Sequence, residues 1–205
     1  MTLSEETYRN LKEKLALLED GAFISARKYA SECNVSLTPV REAMLRLTNE
    51  GYLKKVTNVG FFKASIDYDS VKDFLESRIM IENFVMPKVV QMITEQDIEY
   101  LENLVIEMET SINENSVLKY GESDIKFHCY MIDLYGNKSI SRYYRSIREQ
   151  LGMYSRKNFT DKTTIREHRS FLKLISEKEY EKAVELIVKP LESFMTRLSE
   201  GAMRM

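Results

Sequence analysis

The sequence predicts a mainly α protein in two parts: a small N-terminal unit carrying one β-hairpin, then an all-α antiparallel helical bundle. Three observations lead there. Only 7 Gly and 3 Pro occur among 205 residues, too few for a loop-rich or all-β chain. The N-terminal third alternates short helical periods with turn signals and ends in two β-prone runs. From Tyr68 onward, long stretches of helical periodicity follow one another with few breaks. The boundary falls near Ser65 to Asp69, which gives residues 1–66 and 67–205 as the expected domains.

In order along the chain, Ser4 followed by Tyr8, Leu11, Leu15 and Leu18 reads as a capped amphipathic helix that stops at "DGAF". A short helix from Ser25 to Cys33 follows, with Ser25 as its cap. "NVSLT" is a tight turn. Pro39 then falls in the first turn of a third helix, where a missing N–H costs nothing. Val40, Ala43, Met44 and Leu47 recur at i, i+3, i+4, i+7 and give that helix one buried stripe; Gly51 is its left-handed cap. "YLKKV" and "GFFKA" flank "TN" as a hairpin. Three helices with a tight turn between the second and third, then a hairpin, make a winged helix-turn-helix. The plainer alternative is a small helical bundle with an incidental hairpin. Beyond it, helices are predicted over 70–92, 94–115, 117–136, 139–157, 161–177 and 179–200, with Thr94 and Asp97 capping the second of these and "YGN" separating the third from the fourth.

Charge is uneven. The net charge is −2, yet residues 1–65 carry ten Lys/Arg against eight Asp/Glu, and from Arg27 to Lys63 the ratio is seven to three. A mildly basic head on an acidic body suits a DNA-contacting surface at one end. Cys33 and Cys129 stand far apart in no metal-like spacing, which suits a reducing compartment. The N-terminus lacks a basic stretch followed by an apolar core, and no apolar run approaches the ~20 residues that span a bilayer. The expectation is a soluble cytoplasmic protein with no membrane partner.

"VSLTPVREAMLRLTNEGYL" closely resembles the recognition-helix signature of GntR-family bacterial transcription regulators, V-S-R-T-P-V-R-E-A-L-x-x-L-x-x-E-G-L. The long helical tail looks like the effector (FCD-type) domain of the FadR-type subfamily, chiefly through "ESRIMIEN" and "DIKFH". The resemblance implies a DNA-binding, ligand-responsive regulator, a repressor acting as a homodimer on a palindromic operator in double-stranded DNA, and no enzyme. It implies that Arg27, residue 37 and Arg41 reach bases and phosphates, with Ser36 and Thr38 offering hydroxyls at the helix N-terminus. Arg46 and Thr57 complete the expected DNA-binding set, and Lys54, Lys55 and Lys63 make the wing basic. The departure is Leu37, where the family has Arg. An Arg there could bind a guanine edge, worth roughly 1–3 kcal/mol of discrimination; leucine offers apolar contact with a thymine methyl. A shifted operator sequence is expected, not lost binding. The bland alternative makes Arg41 and Glu42 solvated helix charges.

In the tail, Asp124 and His128 stand four apart on one helix face, and His168 lies on another helix beside Ile165, Leu172 and Ile175. Buried imidazole and carboxylate suggest either a metal-free polar pocket or a metal pair. Many FadR-type domains hold one divalent metal, zinc or similar, with one Asp and three His. The resemblance assigns Asp124, His128 and His168 to three of those positions; the fourth, in "IVKPLESF", is Pro190, which cannot ligate and should kink the last helix. Arg78 and Glu82, at i, i+4 on the stripe of Val71, Phe74, Leu75 and Val85, point inward. They form an internal ion pair, or Arg78 presents its fork to a carboxylate effector, as the resemblance implies. Tyr130 and Arg148, with Tyr143 and Tyr144, are candidates to line the same cavity. Two other functions remain open: a metal-dependent hydrolase using Asp124, His128 and His168, for which a general base is missing, and a protein-interaction module with a vestigial head.

Overall fold

A computed structural model of the protein describes residues 2–65, 68–155 and 163–202. The chain divides into two compact units, residues 1–67 and 68–205.

In the first unit, α1 spans Leu3–Leu17, β1 Phe23–Ile24, α2 Ala26–Glu32, α3 Leu37–Asn49, β2 Leu53–Val56 and β3 Gly60–Lys63. Helix α1 begins two residues earlier than the sequence suggests. Thr2, not Ser4, is the cap, its hydroxyl accepting from the Glu5 N–H at 3.3 Å. Ser25 caps α2 as expected, accepting from the Lys28 N–H. The turn into α3 is closed by Asn34 at φ +54°, with the Val35 N–H donating to the Ala30 carbonyl at 3.0 Å. Helix α3 packs on α1, with Val40, Ala43, Met44 and Leu47 buried on α3 and Leu11 and Leu15 buried on α1. At the other end of α3, Gly51 takes φ +81° and the Tyr52 N–H reaches back to the Leu47 carbonyl at 2.8 Å.

The sheet has three antiparallel strands in the order β1-β3-β2, not the two of the expected hairpin. Phe23 pairs with Phe62 and Ile24 with Phe61. Two residues carry no readable period, so β1 exists only through its partner strand. Gly60 sits at φ +147°, and a Cβ there would meet Cε2 of Phe23 at 2.6 Å. The glycine thus lets the Phe23 ring lie over β3.

The second unit holds α4 (Tyr68–Val89), α5 (Glu95–Asn113), α6 (Val117–Leu134), α7 (Lys138–Ser155), α8 (Thr163–Ser176) and α9 (Tyr180–Ala202). Ends differ from expectation by at most three residues, while residues 156, 157, 161 and 162 of the expected helices lie outside the described ones. The Thr94–Asp97 capping box opens α5: Asp97 accepts from the Thr94 N–H at 2.7 Å, and Thr94 accepts from the Asp97 N–H at 3.3 Å. Gly136, at φ +80°, ends α6, and the Asn137 side chain accepts from the Ser139 and Ile140 N–H groups to start α7. Helix α9 continues through Pro190, and α4 through Pro87. Phe127, Met131, Phe171, Leu101, Met108, Met86 and Val89 form the centre of the core, at the meeting of α4, α5, α6 and α8. None of the described helices is long and apolar enough to cross a membrane.

Candidate functional site

Two sets of residues stand out, one in each unit. On the first unit, α3 turns one side to the body and the other to solvent. Glu42 accepts from Ser4 of α1 at 3.4 Å. Arg46 pairs with Glu5 at 3.0 Å and Glu50 at 3.0 Å, and its guanidinium lies 3.8 Å from the Tyr8 ring centroid. Burial alone would lower the Arg46 pKa; Glu50, Tyr8 and Glu5 outweigh it and raise it. Arg46 therefore fastens α3 to α1 while half of its side chain stays in solvent. Lys63 donates to the Leu18 carbonyl and pairs with Asp20 at 3.1 Å.

What stays free lies elsewhere. Arg27, Arg41, Lys54 and Lys55 are exposed, and among the described residues none forms an ion pair. Ser36 precedes α3 without using its hydroxyl as a cap, and Thr38 is exposed, as is Thr57 in the wing turn where Asn58 adopts φ +63°. Leu37, the first residue of α3, is half-buried.

The second set lies inside the bundle, buried except for Asp124, which is partly buried. Helix α6 carries Asp124 and His128, α7 carries Tyr144 and Arg148, α8 carries His168, and α4 carries Arg78 and Glu82. One carboxylate organises half of it. Asp124 Oδ2 accepts from Arg148 Nη2 at 2.5 Å, while Oδ1 faces His168 Nε2 at 3.3 Å and His128 Nε2 at 3.8 Å. Burial alone would raise the Asp124 pKa; Arg148 and the two imidazoles outweigh it and hold the carboxyl well below its ordinary range. Burial, with Arg148 and Arg78 adding repulsion, pushes the His128 pKa well down, so this ring is neutral. The second carboxylate, Glu82, takes Arg78 Nε at 2.7 Å and the Tyr144 hydroxyl on the same oxygen. Burial and then Glu82 drive the Tyr144 pKa well up.

The cluster is under-satisfied. Glu82 Oε2, His128 Nδ1, Arg148 Nε and His168 Nε2 are buried without a hydrogen-bond partner. Such atoms cost about 1–3 kcal/mol each unless something fills the gap. His168 adds a further clue. Its Nδ1 lies 2.6 Å from the Thr164 carbonyl, which can only accept, so Nδ1 holds a proton and Nε2 is the atom turned to Asp124. In the neutral ring Nε2 would present a lone pair to carboxylate oxygen Oδ1, an arrangement that suits a cation between them. The ligand atoms of Asp124, His128 and His168 lie within 4.8 Å of one another. Arg148 occupies only the outer oxygen Oδ2, leaving Oδ1 and the two Nε2 atoms converging. The residues fit a three-donor metal site; His128 lacks the outer support that Thr164 gives His168.

The structure thus brings Asp124, His128, His168, Arg78, Glu82, Tyr144 and Arg148 together. Tyr130 is engaged elsewhere. It donates to Asp97 at 2.5 Å, which pushes its pKa up to about 12, and its ring rests 4.5 Å from that of Tyr100. Tyr143 is largely exposed. Tyr144 belongs to the cluster; its signal in the sequence is the stripe Tyr144, Ile147, Arg148, Leu151 on α7, all buried.

Residues 3–62 match the family described as bacterial regulatory proteins, gntR family, and residues 73–193 match the FCD domain. The chain belongs to the GntR family of bacterial transcriptional regulators. It is similar to the Nta operon transcriptional regulator of Aminobacter aminovorans, 32% identical over 133 residues, which is 64% of this chain and 62% of that one. It is also similar to the gluconate operon transcriptional repressor of Bacillus subtilis, 26% identical over 112 residues, 55% of this chain and 46% of the repressor. The matched segments thus span less than two thirds of either relative. Among solved structures, the Escherichia coli protein McbR/YncC shares the fold at TM-score 0.74 and 18% identity, over 98% of this chain and 99% of that one. The matched domains and these relatives are those of regulators, not of enzymes, so the hydrolase alternative is set aside.

Proposed function

We propose that this GntR-family protein is a repressor that binds a palindromic operator as a homodimer through residues 1–66 and is controlled by a small carboxylate held in residues 67–205. The single observation that carries the ligand-responsive part is the buried cluster with four unpartnered polar atoms. A purely structural polar network satisfies its members; this one is arranged to receive something.

Asp124 Oδ1, His128 Nε2 and His168 Nε2 would hold a divalent metal, which would supply open coordination positions for an anionic ligand. The chain's own residues set the charge balance. Arg78 and Arg148 offset Glu82 and Asp124, and with His128 neutral, a divalent cation would leave the pocket with surplus positive charge. An anionic effector removes that surplus, and Arg148, with its free Nε, and Arg78 are placed to orient a carboxylate. On the head, Arg27, Ser36, Leu37, Thr38, Arg41 and Thr57 are read as the DNA-facing set, with Lys54 and Lys55 on the phosphates. Effector binding would then change operator affinity through a coupling of about 1–3 kcal/mol.

The test has two arms. Titration of a randomised palindromic duplex pool at two salt concentrations should yield sequence-selective binding that weakens with salt. Metal analysis of the purified protein, with His168→Ala as control, should find one divalent ion lost in the variant. Absence of selective, salt-sensitive binding would defeat the regulator reading and leave a protein-interaction role. Equal metal content in wild type and variant would defeat the metal site alone.

A further inference from the structure

The free side of α3 is not a simple cationic surface. Leu37, Arg41 and Leu45 stand at i, i+4 and i+8 and so form one ridge along the helix. Leu45 is 44% exposed and Leu37 half-buried, while Arg41 between them is exposed and unpaired. The neighbouring polar residues are already engaged on the other side, Glu42 by Ser4 and Arg46 by Glu5 and Glu50. On this ridge Arg41 and Leu45 stand open and Leu37 is partly open, so it runs apolar, cationic, apolar.

We propose that this ridge reads a guanine flanked by thymines in each operator half-site. The inference rests on the reading of the head as a duplex-DNA binder and specifies what it selects. In the major groove, guanine offers O6 and N7 to a guanidinium fork, and thymine is the base whose edge carries a methyl group. Arg41 takes the guanine. Leu37 and Leu45 cover thymine methyls on its two sides. Four residues of helix rise about 6 Å, and base pairs are spaced about 3.4 Å, so each leucine falls roughly two base pairs from the Arg41 contact when the helix lies along the groove. Exposed Arg27, Lys54 and Lys55 supply the phosphate attraction that holds α3 there. A leucine offers no hydrogen bond to any base, and only thymine has a methyl to set against it, so cytosine, adenine or guanine at the flanking positions would lose water from their polar edges with no apolar contact in return.

The experiment uses the full chain. A half-site is first selected from randomised palindromic duplexes, and each thymine in it is then replaced singly by deoxyuridine, which differs only in lacking the methyl. Binding of the wild type should fall about 4-fold at the two methyl-contacting positions, the worth of one buried methyl, and not at other thymines. Leu45→Ala should abolish the deoxyuridine effect at one position and leave it at the other; Leu37→Ala should do the reverse. Selective, salt-sensitive binding that is indifferent to deoxyuridine everywhere overturns the proposal while the DNA-binding reading stands. A selected half-site without thymine around the guanine does the same. Failure to bind any duplex selectively overturns both.

Discussion

The two units handle their charges in opposite ways. In the head, Arg27, Arg41, Lys54 and Lys55 lie outside and unpaired, and the charges that do pair, such as Arg46 with Glu5 and Glu50, tie helix to helix at half-exposed positions. In the bundle, two arginines, two acids and two histidines are drawn inward, and four of their polar atoms find no partner. An exposed charge costs little to keep and is available for a polyanion. A buried charge is costly unless compensated, so a buried set left incomplete marks a site for a ligand that completes it. The same residue types thus serve recognition from outside in one unit and reception inside in the other.

The largest effect should come from cutting a buried pair. Glu82→Ala leaves the Arg78 guanidinium without its acceptor and the Tyr144 hydroxyl without a partner. The expected loss is about 3–5 kcal/mol of stability, read by chemical denaturation. Arg27→Ala on the head should change stability by less than about 0.5 kcal/mol. Similar losses for the two would erase the contrast between the units. A smaller effect belongs to α5, where Asp97 serves Thr94 as partner in the capping box and accepts from Tyr130. Asp97→Ala should cost about 1 kcal/mol. Burial would raise the Asp97 pKa, but the bonds from Thr94 and Tyr130 win and lower it. Its folded pKa therefore lies below the unfolded value of about 3.9, and the stabilisation is present above that value and fades as pH falls through the folded one. The gap between wild type and variant should hold from pH 7 to about 5 and narrow below 4; a gap independent of pH would deny the carboxylate its part.

Local features were legible in the sequence and non-local ones were not. Helix α3 could be read in full because Pro39, the stripe Val40–Ala43–Met44–Leu47 and Gly51 all act within a few residues. Asp124 and His128 could be paired because one helix fixes their spacing, and His168 because its neighbours Ile165, Leu172 and Ile175 mark a buried stripe. The Arg148 bond to Asp124, the Thr164 carbonyl under His168 and the Tyr144 bond to Glu82 join residues whose meeting depends on packing, or on a backbone atom every residue possesses. Strand β1 has only two residues and is defined by β3. The partners of Arg46, Lys63 and Tyr130 were not legible for one reason: a polar side chain beside an exposed face looks the same whether it reaches outward or back to Glu5, Asp20 or Asp97.

That ambiguity can be tested on one helix. Arg41 and Arg46 share α3, a charge and exposure to solvent, yet of the two only Arg46 has partners. Arg46→Ala removes two half-exposed ion pairs and the contact with the Tyr8 ring, an expected loss of about 1 kcal/mol once solvent screening is allowed for. Arg41→Ala removes nothing that holds the unit together, so its stability should stay within about 0.5 kcal/mol. On DNA the order should reverse. If Arg41 reads a guanine edge, its loss should relax selectivity at that base pair and leave the salt dependence of binding nearly intact, whereas a phosphate contact would lower the salt slope by about one. Arg46→Ala should change neither selectivity nor slope. Denaturation curves and salt titrations of the two variants give four values, and a variant that altered stability and selectivity together would mean that the division of α3 into a fastening side and a reading side is wrong.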